Sequence, residues 1–504
     1  MTGLHRTPLT TSQKMQCAAM ALAGQEAHGT ISVLSREFGL SRPTLYEVRD
    51  TASEVLKEHF EKDECAYRAV RVEVDEAQLA RAVVALRVMA PNAIRPIEEL
   101  LPILYPGVRV SYGKVQSILV QAEERAKGLN AQADLSLIKH SALDEMFSQG
   151  EPVLAGVDLA SGYLFALQLR SGRAGEDWAE VLGQAQAQGL GLSVVVKDAA
   201  KGIAAGVQAV FPEAEQRDDC FHVLYELNKV RRQLEQGAYA AIGREQETQE
   251  ALGKIRAQDQ KRRRGHKQKM ARARRECQQA IARFDAFEAA TAQVREALEY
   301  VDLTTGELRS GEHAQRRMTQ AAQAIERIEA PGCRKLAGYV ANRAPGLALA
   351  TTALHTQLLA LANTYPLAAV GLACLIWRWV SACKRGSAPW QRNPKLRLLA
   401  GAYAHLQSLL GSRTDTLLDT VKGLLDNRYR ASSAIEGFNA ALRPYLYVHK
   451  GVTQNFLELF RAHYNLRTRR WGRHKGTSAR ECLTSTPVTD WLSLLGYPPS
   501  GRLH

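Results

Sequence analysis

Four acidic positions in this 504-residue chain stand where a carboxylate could do chemistry: Asp144 lies within the run ALDEMF, Asp158 follows the apolar run PVLAGV, Asp198 comes just after three valines, and Glu436 lies in SSAIEGFN. Carboxylates crowded together repel and take up protons unless divalent cations bind among them and restore the ionised state. Mg²⁺ prefers hard oxygen ligands, and two ions roughly 4 Å apart can activate an attacking oxygen and stabilise a leaving one in an in-line displacement. Each acid also has a plainer role. Asp158 opens Asp-Leu-Ala-Ser-Gly, where its side chain would cap a tight turn. Asp198 could cap a helix beginning near Ala199, and Ser433-Ala-Ile-Glu436 reads as a capping box. Helical spacing adds weight at Glu436. Ile435, Phe438 and Leu442 form an apolar stripe, and Glu436, Asn439 and Arg443 form the polar stripe beside it. A carboxylate, an amide and a guanidinium next to a core stripe suit a metal and phosphate site better than a solvated surface.

The elements that must position these acids follow from periodicity. Between Ser141 and Leu169 three extended runs (ALDEMF, PVLAGV, YLFALQL) are separated by turns at Ser148–Glu151 and Leu159–Gly162. A helix over Gly175–Gln188, a strand over Leu192–Val196, a helix over Lys201–Val210 and a short strand ending near Asp219 come next. The order is β-β-β-α-β-α-β, with Asp198 at the C-terminal edge of its strand, where sites of α/β sheets gather. After Asn228 the pattern is helical to about Asp426, and Lys254–Arg275 (KIRAQDQKRRRGHKQKMARARR) sits in a long helical hairpin, either a DNA-contacting arm or a solvated face. The most apolar stretch, Leu347–Val380, is unbroken only over Leu367–Trp377, short of the about 20 residues a bilayer span needs. A buried helix is expected there.

Ile31–Val48 has apolar positions at 31, 34, 38, 40, 45 and 48 around Gly39, the pattern of a helix-turn-helix. Ser41 would cap its second helix, and Arg42, Thr44, Tyr46 and Arg49 would reach phosphates or base edges. A second helical pair spans Ile94–Leu104 and Ser111–Lys127 with a break at Tyr105–Gly107, another such unit or a plain linker. The formal charge of +14 and a pI near 9.4 favour a polyanionic partner, nucleic acid first. Met1–Pro8 lacks the apolar core of a signal peptide, and no membrane anchor is found, so a cytoplasmic protein without a membrane partner is expected. The eight cysteines form no C-x-x-C pair, which argues against a structural zinc site or disulfide framework. Near the C-terminus Arg461, Arg467, Arg469, Arg470, Arg473, Lys475 and Trp471 could hold a phosphate backbone or be a solvated tail.

The strand order is that of the ribonuclease H-like fold. With LDEMF (143–147), VVVKDAAKG (194–202), DCFH (219–222) and SSAIEGFN (432–439) in sequence, the chain resembles the insertion-sequence transposases with an Asp-Asp-Glu triad, particularly the Mutator-like branches with a helical insertion before the last acid. The resemblance implies Asp144, Asp198 and Glu436 as catalytic metal ligands. It also implies two Mg²⁺ ions, with Mn²⁺ able to substitute, and double-stranded DNA, both transposon ends and target, as substrate. Water as nucleophile would cleave a strand and a 3′-hydroxyl would transfer one. Three strands are required before the first helix: counting from Asp158 leaves room for one more, counting from Asp144 supplies all three, and Asp144 is chosen. Asp219 and His222 form the D-x-x-H element of the resembling families, whose residues would position the site or the DNA; from the sequence alone His222 is a satisfied histidine near a strand end. Such transposases work as dimers or larger assemblies and, in a bacterial cytoplasm, on the nucleoid.

The expected architecture is multidomain α/β: a ribonuclease H-like mixed sheet interrupted by a large all-α insertion, behind an all-α helix-turn-helix region. Residues 1–60 and 61–132 form two helical DNA-binding regions, 133–228 the first part of the catalytic core, 229–426 the insertion, 427–465 the last part of the core with Glu436, and 466–504 a basic segment. The rival readings are a DNA-binding regulator or domesticated transposase that lost the chemistry, and a metal nuclease that only hydrolyses.

Overall fold

The computed structural model of the protein describes residues 10–24, 29–65, 74–198, 200–385, 395–429, 433–448 and 451–499. Met1–Pro8, Ala199 and Ser432, which carried expectations above, lie outside them. The chain divides into two units, one ending at Asp75 and one running from Glu76 to Pro499.

The first unit is helical. Helix α1 (Thr11–Ala23) opens with a capping box between Thr10 and Gln13, and α2 (Thr30–Glu37) and α3 (Arg42–Cys65) follow. Between α2 and α3, Gly39 takes φ +63°, a left-handed conformation that favours glycine. The Ser41 hydroxyl accepts the Thr44 N–H at 3.3 Å, the cap expected of it. Leu34 and Leu45 are buried with Cys17 and Ala21, and Ile31, Phe38 and Leu40 pack against them.

In the second unit, α4 (Glu76–Met89), α5 (Ile94–Leu104) and α6 (Tyr112–Ala131) precede the sheet. The second helical pair is thus present as α5 and α6, with Gly107 at φ +94° in the break and Ser111 capping α6. The sheet follows: β1 (His140–Ser148), β2 (Glu151–Asp158), β3 (Leu164–Leu169), α7 (Gly175–Ala187), β4 (Val194–Lys197), α8 (Lys201–Val210) and β5 (Glu215–Asp218). It is mixed, in the order β3-β2-β1-β4-β5, with β1, β2 and β3 antiparallel and β1, β4 and β5 parallel. Gln149 and Gly150 both have positive φ, as a two-residue hairpin between right-twisted strands demands. In the next turn the Asp158 Oδ2 accepts Ser161 N–H at 2.8 Å and Ser161 O–H at 2.5 Å, the turn-capping role read from the sequence.

Alternation gives the sheet two buried faces. On one, Leu143, Leu154, Phe165 and Val195 pack against Trp178 and Val181 of α7 and Ile203 and Val207 of α8. On the other, Ala142, Met146, Val153, Ala155, Val157 and Val196 pack against Ile435, Phe438 and Leu442, on a helix described below.

Helices fill the chain between β5 and that helix: α9 (Cys220–Gly253), α10 (Gln260–Ala297), α11 (Gly311–Glu326), α12 (Cys333–Ala360), α13 (Leu367–Arg385), α14 (Lys395–Leu410) and α15 (Thr414–Asp426). The helical run starts earlier than Asn228 because Asp219 caps α9 immediately after β5. The basic stretch 254–275 divides into the hairpin's connection and the start of α10. The apolar stretch 367–377 lies in α13, where Val370, Ala373 and Cys374 are fully buried. Helix α12 covers the outer strand β5: Arg343 pairs with Asp218 at 2.6 Å, and Gly346 packs so near that a Cβ would strike the Asp218 carboxylate.

Helices α16 (Ser433–Val448) and α17 (Gln454–Leu466), with the short α18 (Ala479–Thr484) and α19 (Trp491–Leu494), complete the unit. Helix α17 runs along the free edge of β3. Asn465 accepts Leu164 N–H at 2.8 Å and donates to Leu164 C=O at 2.9 Å, and Gln454 does the same for Leu169 N–H and Leu167 C=O at 2.8 and 3.1 Å. Two of the C-terminal arginines, left above between a phosphate hold and a solvated tail, are neither. Arg461 is 6% exposed and donates to Leu164 C=O, and Arg469 donates to Ser161 C=O at 2.5 Å, so both serve backbone carbonyls. Trp471 is 81% exposed. Cys17, Cys220, Cys277, Cys333, Cys374 and Cys383 are buried, and Cys482 is half-buried. Among the described residues no helix is long and apolar enough to cross a membrane.

Candidate functional site

Strands β1 and β4 pair in parallel from His140 opposite Val194 to Leu143 opposite Lys197. One residue beyond that pairing on each side stand Asp144 and Asp198, close enough that the charge of Asp198 acts on Asp144. Ala142 and Val196, two residues back on each strand, lie in the cluster beneath α16. Period-two alternation therefore puts both carboxylates on the α16 face, at the edge where β4 has just ended.

Asp144 is 9% exposed; its Oδ1 accepts the Glu145 N–H at 2.8 Å and its Oδ2 the Asn439 side-chain N–H at 2.6 Å. Burial, with the charge of Asp198 added, outweighs those bonds and the nearby His222 and pushes its carboxyl up to about 6. Asp198 is half-buried, and its Oδ1 accepts the Ala200 N–H at 2.8 Å in the turn before α8; the helix-capping role expected of it is corrected, because α8 starts only at Lys201, with Ala200 at the cap position and no side-chain cap bond.

Helix α16 docks through the stripe read from the sequence, with Ile435, Phe438 and Leu442 fully buried. Asn439 on the adjacent stripe is buried to 3% exposure, Glu436 is half-buried, and Arg443, a turn further on, is exposed. The capping box assigned to Ser433 is corrected: Ser433 is the first residue of α16, so the cap position falls on Ser432, outside the described residues.

From the other side comes α9. Asp219, 2% exposed, accepts the Phe221 N–H through Oδ1 at 2.9 Å and holds His222 Nδ1 through Oδ2 at 2.7 Å. That places His222 Nε2 3.9 Å from Glu436 Oε1. The Asp219 hydrogen bond and charge, joined by Asp144 and Asp198, overcome burial and push the imidazole up to about 9. At neutral pH the ring is a cation facing carboxylates, with a partner on each side, more than the satisfied histidine its sequence context suggested.

The fold thus gathers Asp144, Asp198, Asp219, His222, Glu436 and Asn439 at one sheet edge. Asp158 is apart from them, paired with Ser141 at the opposite end of β1. Ser41, Arg42, Thr44, Tyr46 and Arg49 belong to the first unit, with Arg42 and Tyr46 exposed and Arg49 paired with Asp50 at 2.6 Å. Among the described residues no three His, Cys, Asp or Glu side chains stand where they could hold one metal ion, and the Glu436 carboxylate lies 3.9 Å from His222 Nε2. Sequence reasoning did not find two neighbours of the site. Tyr339 of α12 lies within electrostatic reach of Asp198, as does Arg173, which is bonded to Glu145. Neither has a local signal, since each arrives through packing of distant segments.

Residues 144–355 match the model of a family described as Transposase, DDE_Tnp_ISL3. The match opens on Asp144, spans Asp198, Asp219 and His222, and ends within α12, ahead of Glu436. No curated protein matches the chain. Among solved structures, the chain is similar to a Drosophila P element transposase strand transfer complex at 11% identity and a TM-score of 0.31, over 72% of this chain and 100% of that one.

Proposed function

We propose that this chain, whose residues 144–355 match the model of a transposase family, breaks and joins DNA strands by phosphoryl transfer at the acidic edge of its sheet. Asp144, Asp198 and Glu436 are the proposed ligands of two divalent ions. The observation that carries the reading is the β1–β4 register, which aligns Asp144 with Asp198 on the face where α16 brings Asn439 onto Asp144 and Glu436 one turn before it. The order β3-β2-β1-β4-β5, antiparallel then parallel, supports a ribonuclease H-like core with the helices α9–α15 inserted before the last acid.

The donor types of these residues suit such ions, although as the side chains stand the three acids do not converge on one ion. All three acids offer hard oxygens, as Mg²⁺ or Mn²⁺ requires. Asn439 Oδ1 is a buried acceptor with no hydrogen-bond partner, directly beside Asp144, where water on a cation would satisfy it. When bound, the ions supply Lewis acidity to the phosphate and lower the pKa of the attacking hydroxyl or water. The rest falls to the chain. Asn439 fixes the Asp144 carboxylate, Asp219 fixes the orientation of His222, and the imidazole stands 3.9 Å from the Glu436 carboxylate.

In the first unit, α2, the Gly39 turn and α3 support a helix-turn-helix that recognises DNA through Arg42, Thr44, Tyr46 and Arg49. The +14 charge suits a phosphate backbone. The test incubates purified protein with Mg²⁺ or Mn²⁺ and DNA bearing the ends of its element. Wild type should give cleaved and strand-transfer products, and Asp144→Asn and Glu436→Gln should each lose on the order of a thousandfold, several kcal/mol of metal-borne stabilisation. Undiminished cutting by Glu436→Gln would remove Glu436 from the site. Binding without cutting by wild type would leave a DNA-binding regulator.

A further inference from the structure

Beside the acidic edge, α9 presents an aromatic surface that the chemistry above does not use. Cys220, Val223, Leu227 and Val230 face the core. On another face Phe221 and Tyr225, one turn apart, are 44% and 53% exposed. Their rings are stacked, with centroids 6.4 Å apart and planes 20° from parallel. The Phe221 ring also meets the His222 ring edge-on at 5.8 Å, and Lys229, held by Glu226 at 2.9 Å, places its ammonium 5.6 Å from the Tyr225 centroid. Single exposed apolar side chains are ordinary. Two aligned rings with a cation at their far end, leading away from the imidazole that reaches Glu436, form an ordered row.

We propose that Phe221 and Tyr225 are a stacking platform for an unpaired nucleobase of the DNA strand whose phosphate lies at the acidic edge. The inference rests on the reading of that edge as a DNA phosphoryl-transfer site. Every base offers a π-face, so stacking needs no sequence match, and a lysine beside the second ring complements the phosphate that follows the base. An extruded base also frees the backbone to bend into an edge that a regular duplex would approach only along its outside. The row starts one residue from His222, so a strand leaving the acids crosses Phe221 before Tyr225.

The experiment binds the full-length chain, in chelator, to a short duplex with one bulged 2-aminopurine and to its fully paired counterpart. Wild type should favour the bulged duplex and quench its fluorescence. Phe221→Ala and Tyr225→Ala should each cut that preference on the order of tenfold, with affinity for the paired duplex and melting temperature unchanged. Phe221→Tyr and Tyr225→Phe should keep it. The proposal is overturned if wild type shows neither preference nor quenching, or if the double alanine variant keeps both. It is equally overturned if the variants lose both duplexes alike, or if they change only the sedimentation of the protein, which would mean a second copy covers the rings. Because no divalent ion is present, the outcome is independent of cleavage: a ring-dependent preference in a protein that never cuts DNA would retain the platform and refute the catalytic reading.

Discussion

Asp144 and Glu145 are consecutive on β1 yet lie on opposite faces of the sheet, and the two faces treat a buried carboxylate differently. The Glu145 side chain, 7% exposed, receives Arg173 at 2.8 Å and the Trp178 indole N–H at 3.2 Å, so its charge is matched on the spot. Asp144 receives one amide and one backbone N–H, and has another carboxylate, Asp198, alongside. The first arrangement is a finished ion pair. The second holds several carboxylates close together with the His222 imidazole as the cation facing them, a surplus of negative charge that a further cation would relieve.

The contrast can be broken or sharpened by measurement. The largest effect on stability is expected from pH. The Asp144 carboxyl is raised from 3.8 to about 6 in the folded protein, so its stabilisation is fully present below pH 4 and lost as pH rises through 6. The loss is at most roughly 3 kcal/mol, from about 1.4 kcal/mol per pKa unit. Thermal melting of chelated wild type between pH 4 and 6.5 should show that fall, and Asp144→Asn should not. His222, raised to about 9, acts in a separate window, its stabilisation lost between pH 6.5 and 9.

Asn439→Ala comes next: removing the amide that orients a metal-ligand candidate should cost cleavage about 10- to 100-fold, read from product formation at saturating Mg²⁺. Glu145→Gln should reverse the pattern, losing about 1–2 kcal/mol in denaturant titration with cleavage within a few-fold of wild type. A collapse of cleavage there would erase the distinction between the faces. Asp158→Asn should do least, under about 1 kcal/mol, since asparagine serves the same turn. Abolished cleavage in that variant would move the first acid from Asp144 to Asp158.

What the sequence disclosed was local. Alternation and turn residues gave the strands, the Asp-Leu-Ala-Ser-Gly turn gave Asp158 its role, and the spacing of Ile435, Phe438 and Leu442 gave the docking face of α16. What it withheld was set by pairing between distant segments. No periodicity states that β4 lies parallel to β1 with Ala142 opposite Val196, yet that register is what aligns the two aspartates. The contact of His222 with Glu436 spans the whole helical insertion, and the placement of Arg461 against Leu164 depends on α17 lying along β3. Charge density alone made Arg461 look like a surface cation.

That last placement limits how copies of the chain can associate. An outermost strand with open N–H and C=O groups invites a strand from another molecule. At β3 the invitation is withdrawn, since Asn465, Gln454 and Arg461 occupy the groups of Leu164, Leu167 and Leu169 from within the same chain. A continuous sheet through β3 would require α17 to peel away first, so any multi-chain assembly that leaves α17 in place has to meet through other surfaces.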